Sequence, residues 1–521
     1  MSPSEKISGW YNKLGKPIKI CFFSTLIIGI FAHLFAMTNF LFNYDSIACI
    51  PYGLGGTLKS GRWFLWILED LQNRLWQPYC IPAFNAFLSI VYIAAAACFV
   101  VSFLEIREPL HCVLLGGIMV SFPTVTSTMA FIFTAPHYTL AIALTALAAY
   151  FADKGKRGVV LSVLALALSL GIYQANLPFT AALMVIQLVR LLLIGRLNWK
   201  AAAKKGFRYL AILAGGTLLY YLIMKLLVNL TGMQITDYQG LSSMGVISLH
   251  ELRQAIVKIY ETFILLPFRS YHTFNITPII RFSLLLLGTA SLLLLLVCRK
   301  HSAFSCAAAI FLSFLFPIAA AGIEIMCGHS DIYVLMIYAM SSCFIFPVVL
   351  DEAVREADGA AIQFPKLKNA VSWIIAAALA VSVLNYCWSS NGNYTFLMHA
   401  DKQTENYLNS VVTVMRSTDG YDEDLPVAFI GNIDDPYFDS RRISTHFTYE
   451  GFFNSNDPRQ NINSYSRIDM LRILLGYVYM PASQEQMETI KQSEDFKTMP
   501  CYPNCGSMKV IDGVFTVKFS E

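Results

Sequence analysis

The sequence predicts a polytopic α-helical membrane protein with a small α+β domain at its C-terminal end. Three observations carry this reading. Of 521 residues, 56% are apolar and only 14% are charged, where an average soluble domain carries about 25% charged residues. The mean hydropathy is +0.54, and the apolar residues gather in stretches long enough to cross a bilayer. The charge is also split along the chain: residues 389–521 hold 18 acidic and 11 basic side chains, residues 1–388 hold 16 and 27. A disordered chain, a nucleic-acid binder and an ordinary cytosolic enzyme are excluded. The chain divides into a basic membrane part, 1–388, and an acidic, water-facing part, 389–521.

A spanning helix needs about 20 mostly apolar residues, because lipid offers backbone groups no partner. Eleven stretches qualify: 18–42, 82–104, 110–132, 138–152, 159–175, 178–195, 208–229, 279–298, 304–326, 332–350 and 369–388. The fourth to sixth are short, which leaves room for tilt or re-entry. Basic residues mark every second loop. The N-terminus has Lys6, Lys13, Lys16 and Lys19, and later loops on the same side have Arg107, then Lys154, Lys156 and Arg157, then Arg196 to Arg208. Arg299 and Lys300, and then Arg355, Lys366 and Lys368, continue the series. The N-terminus is therefore expected in the cytoplasm, and an odd number of spans puts the acidic part outside. The basic stretch 196–208 reads as a surface helix. Two outer segments are long, 43–81 and 230–278. Within the second, Leu249, Leu252, Ile256, Ile259 and Phe263 have helical spacing and predict an interfacial helix over 247–266.

The acidic part reads as a helix over 394–417, a buried strand over Leu425–Gly431, and short helices over 465–477 and 483–493. A hairpin follows, with Met508–Ile511 and Val514–Phe519 flanking the turn signal Asp512-Gly513. Cys501 and Cys505 bracket a Tyr-Pro-Asn turn and are a disulfide candidate in an oxidising compartment. Cys49 and Cys80, at the two ends of the first outer loop, are a second such pair. No cysteine pair has histidines at ligand spacing, so neither a metal site nor a cofactor is expected.

Polar residues at the outer ends of the spans are the candidates for chemistry. Asp45 follows the first span, and it suits either a helix cap or a general base. In Gly53–Trp66 the glycines permit tight turns, Arg62 offers a planar cationic fork suited to phosphate, and Trp63 supplies a flat apolar face. Asp70 follows on a short helix where solvated charges are ordinary. His137, Tyr173, Gln174, Asn176, Tyr238, Gln239, His272, Arg281, His329 and Asp331 all fall on the expected outer side. His33, Lys225 and Glu324 are ionisable groups inside spans, costly unless paired or facing a cavity. An outward-opening cavity lined by Arg, Lys, carboxylates and aromatics would suit a lipid-linked phosphosugar.

The run Asn43-Tyr44-Asp45, Ser60-Gly61-Arg62-Trp63, Tyr173-Gln174-Ala175 and Tyr238-Gln239-Gly240 resembles the Gtr-type (type II) serotype-converting glucosyltransferases. So do Pro426–Gly431 and the closing pattern Met499–Pro503, Gly506-Ser507 and Val517-Lys518. The resemblance implies a GT-C-like fold. It also implies a bacterial cytoplasmic-membrane enzyme that moves one sugar, glucose, from undecaprenyl-phosphate-sugar to O-antigen or a similar surface polysaccharide. It assigns the essential acid of the first outer loop to Asp45. The mechanism it suggests has Asp45 as base and Arg62, with Arg281 or Lys225, on the leaving phosphate. Trp63, Asp70, His137, Tyr173, Gln174, Asn176, Tyr238, Gln239 and Asp331 are then substrate-binding candidates. The partners it implies are the lipid-linked donor, the polysaccharide acceptor and the bilayer, and it admits a donor synthase and a flippase. The residues alone leave open a lipid-linked sugar flippase or transporter, a polysaccharide polymerase, and a non-enzymatic glycan-binding envelope protein.

Overall fold

The computed structural model describes the chain except residues 1, 43, 54–56, 76–79, 235–247, 266–277, 298–301, 328–331, 357–364, 432–466 and 521. The first half holds α1 (Pro3–Lys13), α2 (Lys16–Thr38), α3 (Tyr44–Tyr52), α4 (Trp63–Leu75), α5 (Pro82–Phe103), α6 (Pro109–Ser121), α7 (Pro123–Ala130), α8 (Ala135–Phe151), α9 (Gly155–Ile172), α10 (Leu177–Leu193) and α11 (Trp199–Thr231). Then come α12 (Leu249–Leu265), α13 (Pro278–Val297), α14 (Ala303–Ala320), α15 (Ile323–Cys327), α16 (Ser342–Glu356) and α17 (Pro365–Ser417). The last stretch holds β1 (Val427–Ile430), α18 (Arg467–Leu475), α19 (Gln484–Gln492), α20 (Glu494–Thr498), β2 (Met508–Ile511) and β3 (Val514–Lys518). Among the described residues, nine helices are long and apolar enough to cross a membrane, and a shorter apolar helix covers Phe282–Val297. This is a polytopic helical membrane protein.

Several elements differ from the sequence reading. The span expected over 110–132 is broken at Phe122 into α6 and α7, because Pro123 disfavours helical geometry at the residue before it. The stretch expected as one span over 332–350 opens with two 3₁₀ turns, Val334–Met336 and Tyr338–Ser341, and becomes α-helical only from Ser342. Residues 199–208 are not a separate surface helix but the first turns of α11, started by Asn198, whose side chain accepts the Ala201 N–H. The helix expected over 394–417 continues the last span within α17, a single 53-residue helix. Within the polar run between them the Ser389 and Ser390 hydroxyls donate back to the Tyr386 carbonyl, so they are satisfied inside the helix. The three short spans are complete helices, α8, α9 and α10.

The chain folds as two compact units. The first comprises residues 1–39, 54–77 and 81–391; the second comprises 40–53, 78–80 and 392–521. In the first, α5 packs on α2 and α8, α9 on α8 and α11, and α10 on α14. Short connections make successive helices antiparallel. The junctions 131–134 and 173–176 therefore share one end with the turn 57–62, and the junctions 104–108, 152–154 and 194–198 share the other.

At that second end the charges are paired. Arg190, 1% exposed, donates to Glu356 at 2.6 Å and to Glu105 at 3.5 Å, and Arg196 bonds both carboxylates. The two ring nitrogens of buried His111 lie 2.6 Å from Glu352 and 2.8 Å from Asp351. Asp153 accepts from Lys205 at 2.7 Å and from Arg208 at 2.6 Å. Burial raises the Glu105 carboxyl, but Arg196 and Arg190 more than offset this and hold it below its ordinary value.

The second unit carries a three-stranded sheet in the order β1-β3-β2, with β1 parallel and β2 antiparallel to β3. The hairpin falls where Asp512-Gly513 predicts it. Both residues have positive φ, 49° and 77°, the sense a two-residue type I′ connection needs. Phe42 and Ile47 enter its core beside Leu408, Val411, Phe515 and Val517. This burial ties residues 40–53, early in the sequence, to the unit built mainly from the tail. Asp401 of α17 is buried and accepts the Phe42 N–H at 3.0 Å.

Candidate functional site

The site is assembled in the first unit, around a turn the glycines make possible. The Gly61 N–H donates to the Leu58 carbonyl at 3.0 Å, and the Arg62 N–H to the Thr57 carbonyl at 2.9 Å. Gly61 has φ +73°, and a Cβ there would lie 2.8 Å from the Tyr220 hydroxyl. Only glycine fits both demands. The turn is clamped by Gln174, whose amide donates to the Ser60 carbonyl at 3.2 Å and to the Tyr220 hydroxyl at 2.9 Å. Tyr220 in turn donates to the Gly61 carbonyl at 3.1 Å. Trp63 is buried beneath the turn with Leu170 and Met224.

This frame holds Arg62 against two stacked rings. Tyr138 and Tyr173 lie 4.5 Å apart at 10°. The Arg62 guanidinium donates to the Tyr138 hydroxyl at 2.9 Å and sits over the Tyr173 ring at 5.3 Å. A planar guanidinium held on ring faces is a geometry suited to oxyanions. Around this end several polar atoms are buried with no hydrogen-bond partner among the described residues: Trp63 Nε1, Thr134 Oγ1, His137 Nδ1 and Asn176 Nδ2. Buried polar atoms are nearly always satisfied in folded proteins. Donors and acceptors left open beside a cation are what a polar ligand would complete.

The structure brings together Arg62, Trp63, Tyr173 and Gln174, with His137 and Asn176 beside them. Other candidates have different surroundings. Lys225 is exposed, while its helix neighbours Tyr220 and Met224 face the turn. Asp70 is exposed and paired with Arg74 at 2.9 Å. Glu324 is buried and paired with Lys258 of α12 at 2.6 Å, and His33 contacts the Val120 carbonyl, so neither joins Arg62. Asp45 lies in the second unit, in the first turn of α3, where the helix dipole favours an anion. Tyr238, Gln239, His272, His329 and Asp331 lie outside the described residues, as does the Arg281 side chain. Cys501 and Cys505 are both free thiols, the Asn504 N–H and side-chain amide each donating to the Cys501 carbonyl. Cys49 and Cys80 form no disulfide either, and burial pushes the Cys80 thiol up to about 12.

Sequence reasoning missed Tyr138 and Tyr220. Tyr138 is one residue from His137, which was singled out. Tyr220 gave no signal, because an aromatic in an apolar helix reads as core.

Comparison with known families decides the class. The family description Glucosyl transferase GtrII matches residues 34–344, more than half of the chain. The chain belongs to the GtrII glucosyl transferase family. The GtrII match contains Asp45, the whole Arg62 turn and the Tyr173–Asn176 junction, and it ends before α17 and the sheet. Membership makes sugar transfer the chemistry to explain. No curated protein and no solved structure matches the chain.

Proposed function

We propose that this GtrII-family protein moves a single glucose from a polyprenyl-phosphate donor to a hydroxyl of a surface polysaccharide, on the outer face of a bacterial cytoplasmic membrane. The observation that carries this reading is Arg62, a cation held by two stacked tyrosines among unsatisfied polar atoms. A permanent, planar cation on an aromatic platform suits a phosphomonoester leaving group beside an apolar lipid. The loop charges favour placing that end outside.

In the reaction, an acceptor hydroxyl oxygen bonds to the anomeric carbon as the bond from that carbon to the phosphate oxygen breaks. The hydroxyl proton passes to a base, and polyprenyl phosphate leaves with the bonding pair. One displacement inverts the anomeric centre. Arg62 would stabilise the charge growing on the phosphate. The base is assigned to Asp45 from the family resemblance alone. The sheet-bearing unit would hold the acceptor polymer.

The test uses membranes carrying the protein and a labelled polyprenyl-phosphate glucose. Label should pass to polysaccharide, and Asp45→Asn should abolish transfer with insertion intact. Near-normal transfer by that variant would remove Asp45 from the mechanism. Transfer only from a diphosphate-linked oligosaccharide would favour a polymerase.

A further inference from the structure

The acidic tail contains one basic hollow. Ile430, Gly431, Lys491, Phe496, Lys497 and Lys518 line a half-open cavity of about 490 Å³ in the second unit. It lies at the carboxyl ends of the parallel strands β1 and β3, where Ile430 pairs with Lys518. Open α/β sheets bind ligands in the crevice outside their strand ends.

Lys518 is the unusual member. It is only 3% exposed, although lysine is seldom buried unless paired. Its ammonium donates to the Phe496 carbonyl at 3.0 Å and sits 4.7 Å over the Phe496 ring. Among the described residues no carboxylate lies within ion-pairing distance of it. An ammonium has three hydrogens to place, and burying one without a counter-charge is costly. The two outer lysines are held loosely. Lys491 pairs with Glu488 and Lys497 with Glu494, three residues back in each case, and all four are well exposed. Exposed pairs of this kind contribute little and exchange readily for a better anion. Gly431 at its edge must be glycine: it has φ +86°, and a Cβ there would lie 2.4 Å from the Ser520 nitrogen.

We infer that this hollow binds an anionic saccharide, a sugar bearing a carboxylate or phosphate, with Lys518 at its base and Lys491 and Lys497 at its rim. The cavity is far larger than a bare oxyanion needs, and Ile430 and Phe496 give it apolar wall for the C–H face of a sugar. The source of that saccharide as acceptor polymer rests on the function proposed above; the anion site itself does not.

The test is equilibrium binding to the full chain in phosphatidylcholine nanodiscs, with glucuronate, glucose 6-phosphate, glucose and inorganic phosphate as probes. Glucuronate and glucose 6-phosphate should bind at least tenfold tighter than glucose. The double variant Lys491→Ala/Lys497→Ala, altered only at exposed positions, should lose about tenfold of that affinity, and Lys518→Met should lose more. Equal binding of glucose, or charged-sugar affinity untouched by the double variant, overturns the inference. Inorganic phosphate binding as tightly as glucose 6-phosphate overturns its saccharide part. So does lysine-dependent capture of phosphatidylglycerol nanodiscs with no sugar binding. Binding and transfer are separate readouts: charged-sugar binding without transfer leaves this site standing and sinks the proposed reaction.

Discussion

The two ends of the helical unit differ in what surrounds their arginines. At one end Arg190 and Arg196 meet Glu105 and Glu356, His111 meets Asp351 and Glu352, and Asp153 meets Lys205 and Arg208. At the other, Arg62 contacts a phenol and two stacked rings, and among the described residues Trp63 Nε1, Thr134 Oγ1, His137 Nδ1 and Asn176 Nδ2 are buried without a partner, as Arg190 Nε and Nη1 and Asp351 Oδ1 are at the first end. Paired charges fix helix ends against one another. Unpaired donors beside a held cation cost stability, and that cost is offset only when a ligand arrives. We therefore read the first end as structural and propose the second as the one where a substrate binds.

The largest expected effect is on Arg62. Arg62→Ala should lower kcat/KM by about 10²–10³, the usual cost of removing a donor to developing negative charge. Arg62→Lys should restore only part of this, since a point charge cannot reproduce the fork. Steady-state kinetics with labelled donor would show it. Next comes buried Arg190, one of the two cations shared by Glu105 and Glu356. Arg190→Met should destabilise the protein by about 2 kcal/mol, the loss of hydrogen bonds between charged groups, read by thermal unfolding in detergent, while transfer per folded molecule holds.

Gly61→Ala should cost about 1–2 kcal/mol for the left-handed conformation alone. Because the new methyl meets Tyr220, it should reduce transfer as well. The smallest effect separates the two ends most finely. Asn176→Ala removes a buried amide with no partner, so stability should change by less than about 0.5 kcal/mol while the KM for donor rises severalfold. A loss of more than about 1 kcal/mol would mean the amide serves the fold.

The difference between the ends also sets what the sequence could reveal. Loop lysines and arginines mark the paired end plainly, because charge stands out in an apolar chain. Their partners were not legible: nothing local says that Arg190 reaches Glu356, 166 positions away. At the other end Arg62, Trp63, Tyr173 and Gln174 were readable as polar or aromatic residues interrupting apolar runs. Tyr138 and Tyr220 were not, since their function depends on a stacking partner and a glycine far off in sequence. The hairpin at Asp512-Gly513 was legible because turn chemistry is local. The burial of Phe42 and Ile47 with Phe515 was not, because it joins the first and last parts of the chain.

The most direct measurement compares Arg62→Ala and Arg190→Met in one experiment, recording thermal unfolding and transfer from labelled polyprenyl-phosphate glucose per folded molecule. Arg62→Ala should keep its unfolding temperature and lose transfer, while Arg190→Met should do the reverse. Normal transfer by a folded Arg62→Ala protein would contradict the role proposed for Arg62.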